Sequence, residues 1–264
     1  MVLWGWVQQH RVLSVLVLAV FIVVCAGGTA WALVFRTVSS PVTLRQALRT
    51  YRREQTAKVV DSLRNHLPAT GVYTYRTRGD EGLNLVGVER SFPATTSMVV
   101  TEASCATVSW VPITQHTETT VECRQAGGAL AMPRLVTDES IAGSTTRSVV
   151  ACPATAYLLP PAAAVGQRWR ATCTLAGPDE KVVLDGVVVG PDVVAVGGQS
   201  VEVEHTRVTL TYAGTVHGTN PTDYWVVPAS GLIVREQETS AVSQSGVDYH
   251  ERMAAMLASL RPAR

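Results

Sequence analysis

Residues 105–123 read CATVSWVPITQHTETTVEC, with a cysteine at each end of a stretch that otherwise alternates like a β-hairpin. Alternation of apolar and polar residues with a period of two is typical of strands that bury one face. A turn near Thr114 would place Cys105 opposite Cys123. Directly opposed Cβ atoms lie about 4.5–5.5 Å apart, which is close to disulfide reach. The stretch therefore predicts two antiparallel strands joined by a disulfide.

Two further cysteines, Cys152 and Cys173, flank a Pro-rich loop that a second bridge would close. Four cysteines allow three pairings, and we expect nearest neighbours to pair. No CxxC motif is present, so a zinc site or a thioredoxin-like site is poorly supported. Stable disulfides need an oxidising compartment, which predicts an extracytoplasmic domain. Four unpaired thiols in a cytoplasmic domain are the alternative.

The N-terminal segment is apolar enough to cross a membrane. Residues 12–35 carry no charge and can span a hydrocarbon core of ~30 Å. We expect an uncleaved transmembrane anchor over residues 1–36. The alternatives are a signal peptide cleaved at the AWA sequence of residues 30–32, lipidation at Cys25, and a buried soluble helix.

The orientation of this anchor is contested by the sequence. One arginine precedes the span and several follow it: Arg36, Arg45, Arg49, Arg52 and Arg53. The positive-inside rule alone would place the large domain in the cytoplasm. The cysteines indicate the opposite side, and we follow them. The prediction is a single-pass protein of the cell membrane with its domain outside.

A short juxtamembrane helix is expected within residues 37–68. Thr43 and Gln46 fit a capping box, and Pro68 ends the pattern. Apolar residues recur at helical spacing at Leu44, Ala47, Leu48 and Tyr51.

From Gly71 the period changes to two, and short strand candidates alternate with turn signals to the end of the chain. Without βαβ alternation, this pattern predicts an antiparallel meander over residues 69–264. Among the predicted turns are residues 138–139 and 190–192. Around residues 205–207 the apolar residues of the predicted strand change from odd-numbered to even-numbered positions. This change of face indicates a β-bulge there, and bulges bend sheets. The predicted fold is mainly β, a curved antiparallel meander that forms a half-barrel or an open barrel.

The end of the chain, VDYHERMAAMLASLRP, is expected to continue a last strand into a short helix. Four apolar side chains of that helix would face inward: Met253, Met256, Leu257 and Leu260.

Composition and motifs exclude several classes of function. The formal net charge of +1 gives no argument for nucleic-acid binding. No GxSxG, HExxH, Walker or dinucleotide motif is present, and the histidines are scattered along the chain. We therefore expect no catalytic residue, no metal site and no cofactor.

The Pro-rich loop is unusually apolar. It contains Tyr157, Leu158 and Leu159, and Trp169 follows it. Packed inside the sheet this loop would be a plug, and partly exposed it would be a lid or a partner surface. These four residues, with Trp225 of a later hairpin, are the candidate contacts with a ligand or a partner.

The chain resembles a group of uncharacterised actinobacterial membrane-anchored proteins. The resemblance rests on GVYTYRTRGDEGLNLVG, RSFPATTSMVVT, both cysteine pairs, VGQRW, DYWVVPASGLIVREQET and the C-terminal VDYHERMAAMLASLRP. The group implies no activity. At the level of fold, the curved sheet is also similar to lipoprotein carriers of the LolA type. The hypothesis is a non-enzymatic cell-envelope protein that binds a lipid or another apolar ligand. The alternative is an interaction module that binds an envelope protein.

Overall fold

The computed structural model describes residues 39–55, 67–84, 88–102, 104–141, 144–176 and 180–264. One compact unit comprises Ser39–Ser140 and Thr145–Arg264. This unit contains nearly all of the sheet, and the sites. The predicted anchor over residues 1–36 lies outside the described residues.

Fourteen strands and one α-helix make up most of the described chain. They are α1 (Leu44–Gln55), β1 (Gly71–Leu83), β2 (Val88–Ser91), β3 (Thr95–Glu102), β4 (Ala106–Ile113), β5 (His116–Arg124), β6 (Leu130–Ile141), β7 (Ser144–Ala151), β8 (Tyr157–Leu159), β9 (Arg168–Leu175), β10 (Lys181–Val196), β11 (Gln199–Ala213), β12 (Val216–Val226), β13 (Ile233–Gln244) and β14 (Val247–Leu257).

The sheet is closed. Its order is β14-β13-β12-β11-β10-β9-β7-β6-β5-β4-β3-β1, and β14 also pairs with β1, from Tyr75 opposite Leu257 to Leu83 opposite Tyr249. The result is a twelve-stranded antiparallel barrel, to which β2 adds beside β1 and β8 beside β6. The predicted antiparallel meander is confirmed. The predicted half-barrel or open barrel is wrong, because pairing the first and last strands removes two unpaired edges.

The predicted change of parity is present on β11. Val203 is buried before the change, and Thr206 and Val208 are buried after it. The additional residue, however, belongs to the partner strand: the register shifts between Val188 and Gly190 of β10. β10 also continues through residues 190–192, so the turn predicted there is wrong. β6 was not predicted, because residues 138–139 were interpreted as a turn.

The predicted C-terminal helix is also wrong. Residues 247–257 form β14, in which Met253, Ala255 and Leu257 are buried with strand periodicity. Pairing on both sides, with β13 and with β1, supplies the backbone hydrogen bonds that a helix would otherwise have made.

The capping box of α1 is confirmed. The backbone nitrogen of Thr43 donates to Gln46 Oε1 at 2.8 Å, and the backbone nitrogen of Gln46 donates to Thr43 Oγ1 at 3.3 Å. Ala47 and Tyr51 pack on Val72 of β1 and Val99 of β3, whereas Leu44 is exposed. Among the described residues, no helix is both long and apolar enough to span a bilayer.

Both predicted disulfides are present. Cys105–Cys123 links the start of β4 to β5, with 4.5 Å between the Cα atoms, and the two strands turn at Thr114 as expected. Cys152–Cys173 links the end of β7 to β9, with 4.3 Å between the Cα atoms. Each bridge joins neighbouring strands of the barrel wall.

Candidate functional site

The inward side chains change character along the barrel. On β13 the buried run passes from Val234 to the polar Glu236, Glu238 and Ser240. Ser240 lies opposite Glu251 of β14, which lies opposite Glu81 of β1. Because neighbouring strands place their carboxylates at the same level, polar groups concentrate towards one end of the interior, and apolar side chains pack towards the other.

Glu81 is the centre of a buried ionic cluster. Arg90 Nη2 lies 2.6 Å from Glu81 Oε1, and His116 Nδ1 donates to Glu81 Oε2 at 2.6 Å. The Arg90 guanidinium also donates to the Ser140 carbonyl at 2.7 Å and approaches Glu139 Oε1 at 3.4 Å. Glu81, Arg90 and His116 are all at most 3% exposed, so this pairing compensates the cost of burying their charges.

Tyr249 connects this cluster to a second carboxylate. Its hydroxyl lies 3.0 Å from Glu81 Oε2 and 2.7 Å from Glu251 Oε2. Glu251 is 2% exposed, and its Oε1 atom has no hydrogen-bond partner, nor has Nε2 of His116. The ligand atoms of Glu81, His116 and Glu251 lie within 4.8 Å of one another. Two carboxylates and one imidazole are donors that transition metals accept.

The electrostatics of the cluster follow from its pairing. Burial would raise the pKa of Glu81, but the hydrogen bond from His116 and the charges of His116 and Arg90 outweigh it and lower that pKa below 4.5. Burial opposes protonation of His116, but the carboxylates of Glu251 and Glu81 raise its pKa to about 10. Burial raises the pKa of Glu251 to about 8. His116, which is paired with the Glu81 carboxylate, is therefore a cation at neutral pH.

A small cavity of about 40 Å³ lies in the barrel interior. Its lining includes Glu118, Glu122, Glu236 and Glu238, and no Lys, Arg or His is among the described residues that line it. A water molecule needs roughly 10–15 Å³ measured in this way. The cavity therefore has room for a few waters and not for an acyl chain.

The acids around this cavity resist ionisation. Burial raises the pKa of Glu122 to about 7 and that of Glu236 to about 8, and neighbouring carboxylates add to the rise at Glu236. Burial also raises the pKa of Glu238 well above 4.5, although Asn220 Nδ2 donates to its carboxylate at 2.6 Å. The interior thus holds protons that the unfolded chain would release near neutral pH.

A groove of about 750 Å³ opens on the outside of the barrel. We call it the outer groove. It is lined by Pro191, Asp192 and Val193 of β10, residues 199–204 of β11, residues 227–229 and Leu260. Val193 is 61% exposed. Ligand sites typically have volumes of ~300–1,000 Å³ and mainly apolar walls, so this groove has the size that the interior cavity lacks.

Trp225, one of the predicted contact residues, supports this groove from below. Its ring is 5% exposed and stacks on His205, with 4.2 Å between the centroids. Its Nε1 donates to Asp192 Oδ2 at 2.9 Å, and the guanidinium of Arg235 lies 4.2 Å from its centroid. Trp225 therefore fixes Asp192 at the groove wall.

The other predicted contacts belong to the inner structure. Leu158 and Leu159 are buried, and Thr206 Oγ1 donates to the Leu158 carbonyl at 2.8 Å. Tyr157 is half-buried, and its carbonyl accepts a hydrogen bond from Trp169 Nε1 at 3.0 Å. Contact between these residues and a partner stays a prediction, and for Leu158 and Leu159 it would require the loop to move outward.

The sequence reasoning missed the ionic cluster. A signal was present: His116, Glu118, Thr120 and Glu122 share the parity of β5 that faces inward, and Glu236 and Glu238 share that of β13. Charged residues at the strand positions that face inward indicate a polar interior. Their partners are distant in sequence, so the signal did not show which groups meet.

The fold and these sites define a disulfide-bridged antiparallel β-barrel domain with an acidic interior and an apolar outer groove. No protein-family model matches the chain, and no curated protein matches it. Among solved structures, it is similar to one described as the hypothetical lipoprotein YmcC from Escherichia coli (K12), at 13% sequence identity and a TM-score of 0.35. The match covers 82% of this chain and 96% of that one. A likeness this weak carries no argument about function.

Proposed function

We propose that this protein is a membrane-anchored, extracytoplasmic binding protein that holds a lipid or another apolar ligand in its outer groove. The observation that carries the proposal is the volume of that groove, about 750 Å³, beside an interior cavity of about 40 Å³. The two disulfides support an oxidising compartment. The uncharged residues 12–35 support anchoring to the cell membrane.

The groove offers apolar contact area. Val193 is exposed to water, and Val201, Val227 and Leu260, which pack partly against the core, also line the groove. Each methylene that leaves water contributes ~0.8 kcal/mol, so about ten methylenes contribute ~8 kcal/mol before the ligand's ordering cost. This corresponds to micromolar or weaker affinity. The expected ligand is therefore held reversibly.

The charge of the groove restricts the head group of the ligand. Asp192, Glu202 and Glu204 line it, and no Lys or Arg is among the described lining residues. An anionic head group would meet like charges, whereas a neutral or cationic one would not. The proposal therefore favours an apolar chain with a neutral or cationic end.

A competition assay tests this proposal. The full chain in detergent-free nanodiscs would be titrated with a fluorescent apolar probe, which is then displaced by dodecylamine or by dodecanoate. We expect dodecylamine to compete better. Val193→Asp should weaken probe binding about tenfold or more, because it places a charge in the groove. Val165→Asp is the matched control, since Val165 is 70% exposed and does not line the groove. Equal binding by both variants would contradict the proposal.

The alternative function, an interaction module that binds an envelope protein through Tyr157 and its neighbours, stays a prediction. No exposed surface at Leu158 or Leu159 favours it.

A further inference from the structure

We propose that Glu81, His116 and Glu251 form a binding site for one divalent transition-metal cation of the Zn²⁺ or Mn²⁺ type. This site is separate from the outer groove and does not rest on the function proposed for that groove. It also departs from the expectation of no metal site that was drawn from the scattered histidines.

The geometry is close to that of a metal site. The three ligand atoms lie within 4.8 Å of one another. Metal–ligand distances to imidazole nitrogen and carboxylate oxygen are about 2.0–2.2 Å. His116 Nδ1 and Glu81 Oε2, which are 2.6 Å apart, would separate by roughly 0.8 Å to occupy two corners of a tetrahedron around one metal. A carboxylate oxygen of Glu251 lies within 4.8 Å of both. Small side-chain rotations provide such a movement without a change in the strands.

Among the described residues, four buried polar atoms of this cluster are without hydrogen-bond partners: Oε1 of Glu81, Nε of Arg90, Nε2 of His116 and Oε1 of Glu251. Oε1 of Glu81 is nevertheless only 2.6 Å from Arg90 Nη2, and Glu251 is 2% exposed. Buried polar groups are almost always paired, so each exception needs an explanation. A cation among the three side chains gives the Glu251 carboxylate the positive partner that it lacks.

The ligands are held by a second layer of polar groups. Arg90 holds Glu81 through Oε1, and the Tyr249 hydroxyl contacts both carboxylates. Such outer contacts orient ligands in known metal sites. The three ligands also come from three strands, β1, β5 and β14, and β1 pairs directly with β14, so the wall of the barrel fixes their spacing.

Acidic side chains surround the three ligands. Glu118 lies two residues along β5 from His116, on the same inward face, and Glu139 Oε1 lies 3.4 Å from Arg90 Nη2. With Glu81 and Glu251, these are four carboxyl groups beside two cationic side chains, Arg90 and His116. On binding, the metal replaces the proton between His116 Nδ1 and Glu81 Oε2 and any proton held by Glu251, and these protons pass to solvent.

Binding to the untagged full chain in detergent tests the site. The protein would be stripped with a chelator, kept under non-oxidising but disulfide-preserving conditions, and titrated calorimetrically with Zn²⁺. Mn²⁺ binding would be followed in parallel by electron paramagnetic resonance, because Mn²⁺ has little affinity for the thiol of Cys25. We expect one cation per chain and a rise in Tm on binding.

Matched variants distinguish this site from the other buried acids. Glu251→Gln keeps the shape of the side chain and should weaken binding at least tenfold. Glu122→Gln removes a buried carboxylate outside the cluster and should leave the affinity within about twofold. Circular dichroism confirms that each variant is folded. Absence of stoichiometric binding to the wild-type chain would overturn the proposal, as would equal losses in the two variants. Since neither variant lies in the outer groove, ligand binding there should be unchanged.

Discussion

Glu122 provides a quantitative test of the acidic interior. Burial raises its pKa from 4.5 to about 7. Because the folded state holds this proton more tightly than the unfolded state, the contribution of Glu122 to stability is fully present below pH 4.5 and is lost as pH rises through 7. A rise of about 2.5 pH units at 1.36 kcal/mol per unit corresponds to about 3 kcal/mol. Most of this loss falls between about pH 5 and pH 8.

The comparison is between wild type and Glu122→Gln, whose neutral amide keeps the shape of the protonated acid. Urea unfolding of the full chain at about pH 5 and pH 8, followed by far-UV circular dichroism, gives the free energy of unfolding at each pH. Wild type should lose about 2–3 kcal/mol more than Glu122→Gln across this range. The exposed Glu202→Gln serves as the control and should follow wild type. If Glu122→Gln shows the same pH dependence as wild type, the assignment of a buried, protonated Glu122 is refuted.

Three further variants, one of them a double substitution, test the barrel wall and the ionic cluster. Replacing Cys152 and Cys173 together by Ala should cost about 3 kcal/mol in urea unfolding under oxidising conditions, because the bridge spans 21 residues of sequence; a variant as stable as oxidised wild type would contradict this. Arg90→Met should cost ~3–5 kcal/mol, because it removes one of the two cations that pair with the buried Glu81, and a loss below ~1 kcal/mol would contradict the ion pair. Gly186→Ala should cost ~1–3 kcal/mol, since an added Cβ would overlap the Trp169 ring; a neutral result in thermal unfolding would count against that packing.

The hairpin of residues 105–123 could be predicted because all its information is local. The alternation, the turn and the two cysteines lie within one short stretch, and the structure pairs Ala106 with Glu122 as that register requires. The second bridge follows from the same logic of nearest neighbours.

The closure of the barrel could not be predicted in the same way. It depends on β1 pairing with β14 at the other end of the chain. Without that pairing, residues 253–260 carry a helical spacing of apolar side chains, and the prediction of a helix followed from it. Tertiary pairing outweighs a weak local preference. Closure therefore explains both the wrong helix and the wrong open sheet.

The ionic cluster was missed for a related reason. His116 is 35 residues from Glu81, and Tyr249 is 168 residues from it. Each residue taken alone is ordinary, and only the closed barrel brings them together. The outer groove likewise depends on β10, β11 and the segment after β12 meeting at one end of the barrel.

The position of a bound acyl chain tests the central claim most directly. A nitroxide-labelled alkyl amine would be added to the isotope-labelled full chain, and paramagnetic broadening of backbone amides would be measured by NMR. If the ligand binds in the outer groove and side chains fill the barrel interior, the amides of Val193, Val201 and Val227, which line the groove, should be broadened. The amide of Leu210, which lines the interior cavity, should be broadened little. Broadening centred on Leu210, or none at the groove, would contradict it.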